Sequence, residues 1–217
     1  VERDWTWQAG SLDAQTSTLK FVNSGDNKNF TPNISATYYN VEIAKTASFS
    51  LILGSNLRMT GTLTITSGTF NEGSYTIYPS SPSSLGSSSM VNGSWTSSTQ
   101  PLFSFIQTDL DASNTVKFGI QISTSSSFTS QAVDYTSALL SQGSASFTVG
   151  QAAGSGTYTI GTSSQTLSDG SYYWKVMSTD NNNATSSYTT ANSGSVAFVV
   201  DATAPTSTIA SSTYGTI

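Results

Sequence analysis

Cysteine and histidine are both absent from the 217 residues, and charge is scarce. Without cysteine there can be no disulfide, no thiolate metal site and no cysteine nucleophile. Without histidine the chain lacks the commonest general base and the commonest transition-metal ligand. Charged residues make up 9% of the chain, where roughly 25% is ordinary for a soluble protein. Only seven residues are Lys or Arg, they form no cluster, and the net charge is −5. Nucleic-acid binding needs a basic patch to displace counterions, so that class is excluded, and electrostatic attachment to anionic lipid fails for the same reason. No apolar run approaches the ~18 residues of a spanning helix, so no membrane insertion is expected. Val1 to Asp4 carry charge and no leader pattern, as a mature or excised chain would show.

Ser, Thr, Asn and Gly fill the place of the missing charge. Short polar side chains favour turns and exposed strand faces and disfavour helix interiors. Such a Ser/Thr-rich, Lys-poor composition resembles that of secreted or surface proteins of prokaryotes, so the expected location is extracellular or on the cell surface.

Short strands and turns alternate along the chain, which makes the fold class all-β. Over residues 17 to 78, Tyr39, Val41 and Ile43 are expected on one face of a strand, and Leu57, Met59, Gly61, Leu63 and Ile65 hold a period of two. Turns every ~8–12 residues fit a sandwich, a barrel or a solenoid. The phrase Gly61 to Phe70, GTLTITSGTF, resembles strand repeats of bacterial surface β-solenoids and adhesins. A short solenoid and a compact sandwich both remain open for residues 1–78. A break follows at 79–89, where two Pro, one Gly and seven Ser surround a single apolar residue. It reads as an interdomain linker.

From residue 90 the strand order fits a second domain, 90–205. Val91 and Trp95 are expected on its first strand and Phe103 and Phe105 inward on its second. Val116, Phe118, Ile120 and Ile122 share one face of the next. The richest stretch is 167–178, LSDGSYYWKVMS, in which the Asp169-Gly170 turn enters a strand of successive aromatics. Leu167 with Tyr173 resembles the tyrosine corner of fibronectin type III and related immunoglobulin-like sandwiches. The phrases QISTSSSF at 121–128 and DATAPT at 201–206 are similar to passages and junctions of bacterial tandem modules of that kind. The resemblance implies an Ig/fibronectin-like sandwich in which Tyr173 bonds back to the upstream backbone. Residues 138–166 exceed what such a module needs and read as an inserted hairpin, a place where recognition can sit. Residues 206–217 are either the start of a next module or a strand that completes a neighbour's sheet.

Candidate sites are few. Asp109, Asp111 and Asn114 place three oxygen ligands within one loop, as calcium would require, or are formers of an Asx turn. The turn at Asp180 to Asn183 and Asp201 carry the same two readings. Trp5 and Trp7 either cover a core edge or stack on a sugar or a neighbouring subunit. Ile209, Tyr214 and Ile217 are the apolar residues with which the tail would contact a partner. Lys117 either faces solvent or takes part in an isopeptide link. The carboxylates are isolated and no general base is at hand, so no enzyme is expected. The sequence thus points to a non-catalytic structural or adhesive surface module, whose partners are copies of itself or neighbouring β modules. The alternative is a carbohydrate-binding module that uses Trp5, Trp7 or Trp95 on a glycan. No cofactor is expected beyond calcium.

Overall fold

The computed structural model describes residues 4–6, 17–22, 26–33, 36–59, 61–75, 77–86, 92–110, 114–152, 154 and 156–207. Among the described residues the regular elements are strands, together with a 3-10 turn at Ala191–Gly194.

The first module holds β1 (Trp5–Thr6), β2 (Thr18–Val22), β3 (Lys28–Thr31), β4 (Thr37–Tyr38), β5 (Asn40–Ala44), β6 (Ser50–Leu53), β7 (Arg58–Met59), β8 (Leu63–Ser67) and β9 (Thr69–Asn71). Their sheets run β1-β3-β6-β9, β2-β5-β8 and β4-β7, and each described pairing among them is parallel. Parallel neighbours cannot be joined by a hairpin, because the chain must travel back before pairing again. Here it travels around the other faces. Leu19 pairs with Val41 and Val41 with Leu63, a repeat of roughly 20 residues of the kind solenoids show. The question left open by the sequence is therefore answered by a short solenoid. Phe21, Phe30, Tyr38, Val41, Ile43, Leu51, Leu53, Leu57 and Met59 fill its interior.

Two expected alternations break at solenoid corners. Tyr39 does not share a face with Val41; it lies at the bend between β4 and β5, and Tyr38 is the buried residue. Likewise Leu57 and Met59 point inward, but the chain turns at Gly61, where a Cβ would collide with the Tyr39 carbonyl. Leu63 and Ile65 then belong to a different sheet. Ile65 pairs with the fully buried Ile43 and faces the same way, yet it is 51% exposed. β8 and β9 are the last strands of their ladders among the described residues, so no further coil covers Ile65.

The second module is a sandwich. Its smaller sheet is β10 (Ser83–Gly86), β12 (Leu102–Gln107) and β15 (Gly143–Thr148). Its larger sheet contains β11 (Ser94–Thr96), β13 (Val116–Ser123), β14 (Gln131–Ser137), β16 (Gly156–Ile160), β17 (Gly170–Asp180), β18 (Thr189–Thr190) and β19 (Phe198–Val200). The order is β11-β19-β17-β13-β14-β16, with β18 also on β17. Phe103, Phe105 and Phe147 of one sheet meet Phe118, Ile120, Ile122, Tyr135, Trp174, Val176 and Phe198 of the other in one buried cluster. The Phe103 ring lies 4.9 Å from Trp174 and that of Phe105 4.9 Å from Phe118, so aromatic contacts bind the sheets together.

Two boundaries differ from expectation. Ser83–Gly86 of the expected linker is an edge strand on β12. Serine-rich sequence suits a short edge whose outer face meets water, so composition did not distinguish it from a linker. Residues 138–166 are not an inserted hairpin: β15 pairs with β12 in the small sheet and β16 with β14 in the large one. Trp95 lies on β11, the first strand of the larger sheet, as expected; β11 pairs with β19 through the backbone and the Trp95 side chain is 69% exposed. Val91 lies outside the described residues.

Candidate functional site

Trp5 sits in an open groove on the first solenoid coil, lined also by Thr18, Leu19, Tyr38, Tyr39 and Asn40. The groove forms because parallel pairing sets Trp5 beside Phe30, its ladder partner. Their ring centroids are 5.3 Å apart, and Trp5 meets Tyr38 edge-on at 6.0 Å. Trp5 is half-buried, so one part of the indole covers the core and the remainder faces the groove. The Tyr38 hydroxyl accepts the Asn33 N–H at 3.2 Å, and burial raises its pKa despite that bond. An aromatic floor with Ser, Thr and Asn at its rim can receive a flat apolar face and bond the hydroxyls around it. Trp7 lies outside the described residues.

The junction between the modules was not visible in the sequence. The Arg58 guanidinium lies 3.7 Å from the Tyr78 ring centroid and donates from Nη1 to the Thr185 carbonyl at 3.3 Å. Asn56 donates from Nδ2 to the Tyr78 hydroxyl at 3.2 Å. Asn182, Asn183 and Ala184 complete a polar cleft there. Arg58 and Thr185 are far apart in the chain, so no local motif announces them. The same holds for Lys175, whose Nζ lies between the rings of Phe128, at 4.2 Å, and Tyr188, at 4.4 Å.

At the exit of the sandwich, the Asp169 carboxylate accepts from the Ala202 N–H at 2.8 Å and from the Thr203 hydroxyl. These bonds, that from Ala202 foremost, hold its pKa below the ordinary value. The Asp201 N–H donates to the Thr96 carbonyl at 2.9 Å. The turn residue Asp169 therefore tethers the exposed segment that follows β19. Ile209, Tyr214 and Ile217 lie outside the described residues.

Of the calcium candidates, Asp109 and Asn114 are brought together, with Asn114 Nδ2 3.5 Å from Asp109 Oδ2, while Asp111 lies outside the described residues. Gln142 braces the loop, accepting from the Asp109 N–H at 2.8 Å and donating to the Asn114 carbonyl at 3.2 Å. Asp180 forms the expected Asx turn: its Oδ1 accepts from the N–H groups of Asn182 at 2.9 Å and Ala184 at 2.7 Å. Among the described residues no three His, Cys, Asp or Glu gather as a metal cluster. Lys117 reaches the Asn183 side-chain oxygen at 3.4 Å on the outer face.

No protein-family model matches the chain, and no curated protein matches it. Among solved structures, an alpha-L-rhamnosidase from Dictyoglumus thermophilum is similar over 55% of this chain and 12% of its own, at 17% identity and a TM-score of 0.38. This chain thus spans a small fraction of that protein's length, and a likeness this low carries no argument about activity.

Proposed function

We propose that the protein is a non-catalytic, extracellular structural and adhesive element, a solenoid–sandwich pair within a cell-surface stalk, layer or self-assembling filament. The observation that carries this reading is the exposed last coil of the solenoid. Ile65 points inward in register with Ile43 but has no coil above it, and β8 offers an unpaired strand edge among the described residues. Strand edges of this kind pair with other chains unless they are blocked. β8 carries Thr, Ile and Ser and no charge or proline to block it. A solenoid so short gains core only by stacking on a further repeat, either a copy of itself or a neighbouring β module. The tethered, exposed segment after Val200 suits a chain of modules in series. The low charge and the Ser/Thr-rich, Lys-poor composition support the extracellular setting. The fibronectin-like resemblance of the second module is in keeping with this reading, although the tyrosine whose hydroxyl bonds back along the chain is Tyr172, to the Ser168 carbonyl, and not Tyr173 as the resemblance implied.

The test is light scattering with negative-stain electron microscopy of the purified chain across a concentration series. Ordered ends-on assembly supports the reading, and a monomer at every concentration opposes self-assembly. The second reading, a carbohydrate-binding module, rests on the Trp5 groove. It is tested by tryptophan fluorescence on addition of sugars.

A further inference from the structure

The cleft between the two modules is built around one cation. Arg58, on β7 of the solenoid, is half-buried, and its guanidinium lies 3.7 Å from the Tyr78 ring centroid. One of its N–H donors reaches across the junction to the Thr185 carbonyl at 3.3 Å, and the others have no acceptor among the described residues. No carboxylate among those residues lies within ion-pair distance of it. The ring and the Thr185 bond hold the guanidinium in place, so its remaining donors are set in advance of any ligand.

The sandwich contributes Asn182 and Asn183 to the same cleft, from the turn after β17. Asn183 takes a left-handed backbone, φ 65°, which Asn tolerates better than most residues. Its Oδ1 accepts from Lys117 Nζ at 3.4 Å, which brings a second cation to the rim and leaves the Nδ2 group as a donor. Asp180, which holds the turn, is fully buried and does not line the cleft. The lining therefore offers positive charge and amides and no carboxylate, in a chain whose net charge is −5. Arg58 and Tyr78 also line a second depression, with Thr37, Ser81, Ser186 and Ser187. Hydroxyl and amide groups thus flank the guanidinium in both.

We propose that this cleft binds a carboxylated sugar, such as a uronic acid unit of an acidic polysaccharide. Its carboxylate sits on Arg58 and its ring hydroxyls on the Asn182 and Asn183 amides. The planar guanidinium presents paired donors that match the two oxygens of a carboxylate. One such anion balances the charge of Arg58, and the polar lining suits a ligand rich in hydroxyls. The cleft's volume, about 330 Å³, is at the small end of ordinary ligand sites, ~300–1,000 Å³. A ligand of so few atoms is expected to bind at about 1 mM. Because Arg58 belongs to the solenoid and the two Asn to the sandwich, a bound sugar touches both modules and fixes their junction. The cleft shares no lining residue with the Trp5 groove, and the inference stands independently of the assembly reading.

The experiment is NMR titration of the full chain with glucuronate, glucose, glucose 6-sulfate and acetate. It follows the Arg58 Nε–H and the side-chain amides of Asn182 and Asn183. Glucuronate is expected to shift all three and saturate with a Kd of about 1 mM. Glucose is expected to shift none, and acetate to shift Arg58 alone, about tenfold more weakly. Arg58→Lys keeps the charge but loses the paired donors, and is expected to weaken glucuronate binding about tenfold. Asn183→Gly suits the left-handed backbone and removes only the amide. It is expected to weaken binding about threefold, a second readout if the Arg58 variant disturbs the junction. Resonances that ignore a large excess of glucuronate would overturn the proposal. So would equal binding of glucose or of the sulfate, or undiminished binding in both variants. An acidic peptide that binds more tightly than glucuronate would also overturn it, and assign the cleft to a carboxylate of another protein.

Discussion

The Tyr172 hydroxyl donates to the Ser168 carbonyl at 2.9 Å, four residues back along the chain. Tyr172, not the expected Tyr173, is thus the tyrosine whose hydroxyl bonds back to the upstream backbone. It is buried with Leu167, and its ring stacks on Phe198 with centroids 5.3 Å apart. The strand's inward row is set by Trp174 and Val176, and two-residue alternation from these selects 172. Tyr172→Phe is expected to cost about 1–2 kcal/mol of stability by leaving the Ser168 carbonyl without its donor. Tyr173→Phe is expected to stay within about 0.5 kcal/mol. Urea unfolding of both variants checks this, and equal losses would contradict the assignment.

Acid is expected to release the chain after β19. The pKa of Asp169 is lowered in the fold, so its bonds to Ala202 and Thr203 are fully present above the unfolded carboxylate value of about 3.9. They are lost as pH falls below that through the folded value. The Ala202 amide resonance in an NMR titration reads this directly, and Asp169→Asn is expected to flatten its pH response. An Ala202 resonance that ignores pH in the unaltered chain would show that the tether does not form.

Ile65→Lys is expected to suppress assembly without harming the fold. The side chain is half exposed already, so charge there costs the monomer little, while a lysine on an open edge opposes strand addition. Light scattering should show loss of large species, and circular dichroism an unchanged β signal. Continued assembly would move the contact elsewhere.

Trp5→Ala is expected to lower the stability of the solenoid by about 2–3 kcal/mol, below the range for a fully buried Trp because only part of the ring is covered. The loss comes from its contacts with Phe30 and Tyr38. Trp5→Phe retains most of that packing. If the groove takes a sugar, the unaltered chain shows a fluorescence change on ligand addition and Trp5→Phe shows weaker binding. An unchanged signal across a glycan panel leaves Trp5 with a packing role alone.

Composition and alternation by themselves determined the all-β class, the inward faces of β12 and β13 and the existence of a second module. Each of these depends on residues close in sequence: Phe103 with Phe105, or Val116 through Ile122, register their face by period two whatever surrounds them. Tertiary structure decided the rest. Whether Leu57 to Ile65 is one strand or two depends on the corner at Gly61, where the carbonyl of Tyr39 comes too close for a side chain. Whether Ser83–Gly86 is linker or edge depends on a free ladder on β12, and whether 138–166 is an insertion depends on which sheet each strand joins. Local pattern fixes which way a side chain points; only the return of distant chain decides what it meets.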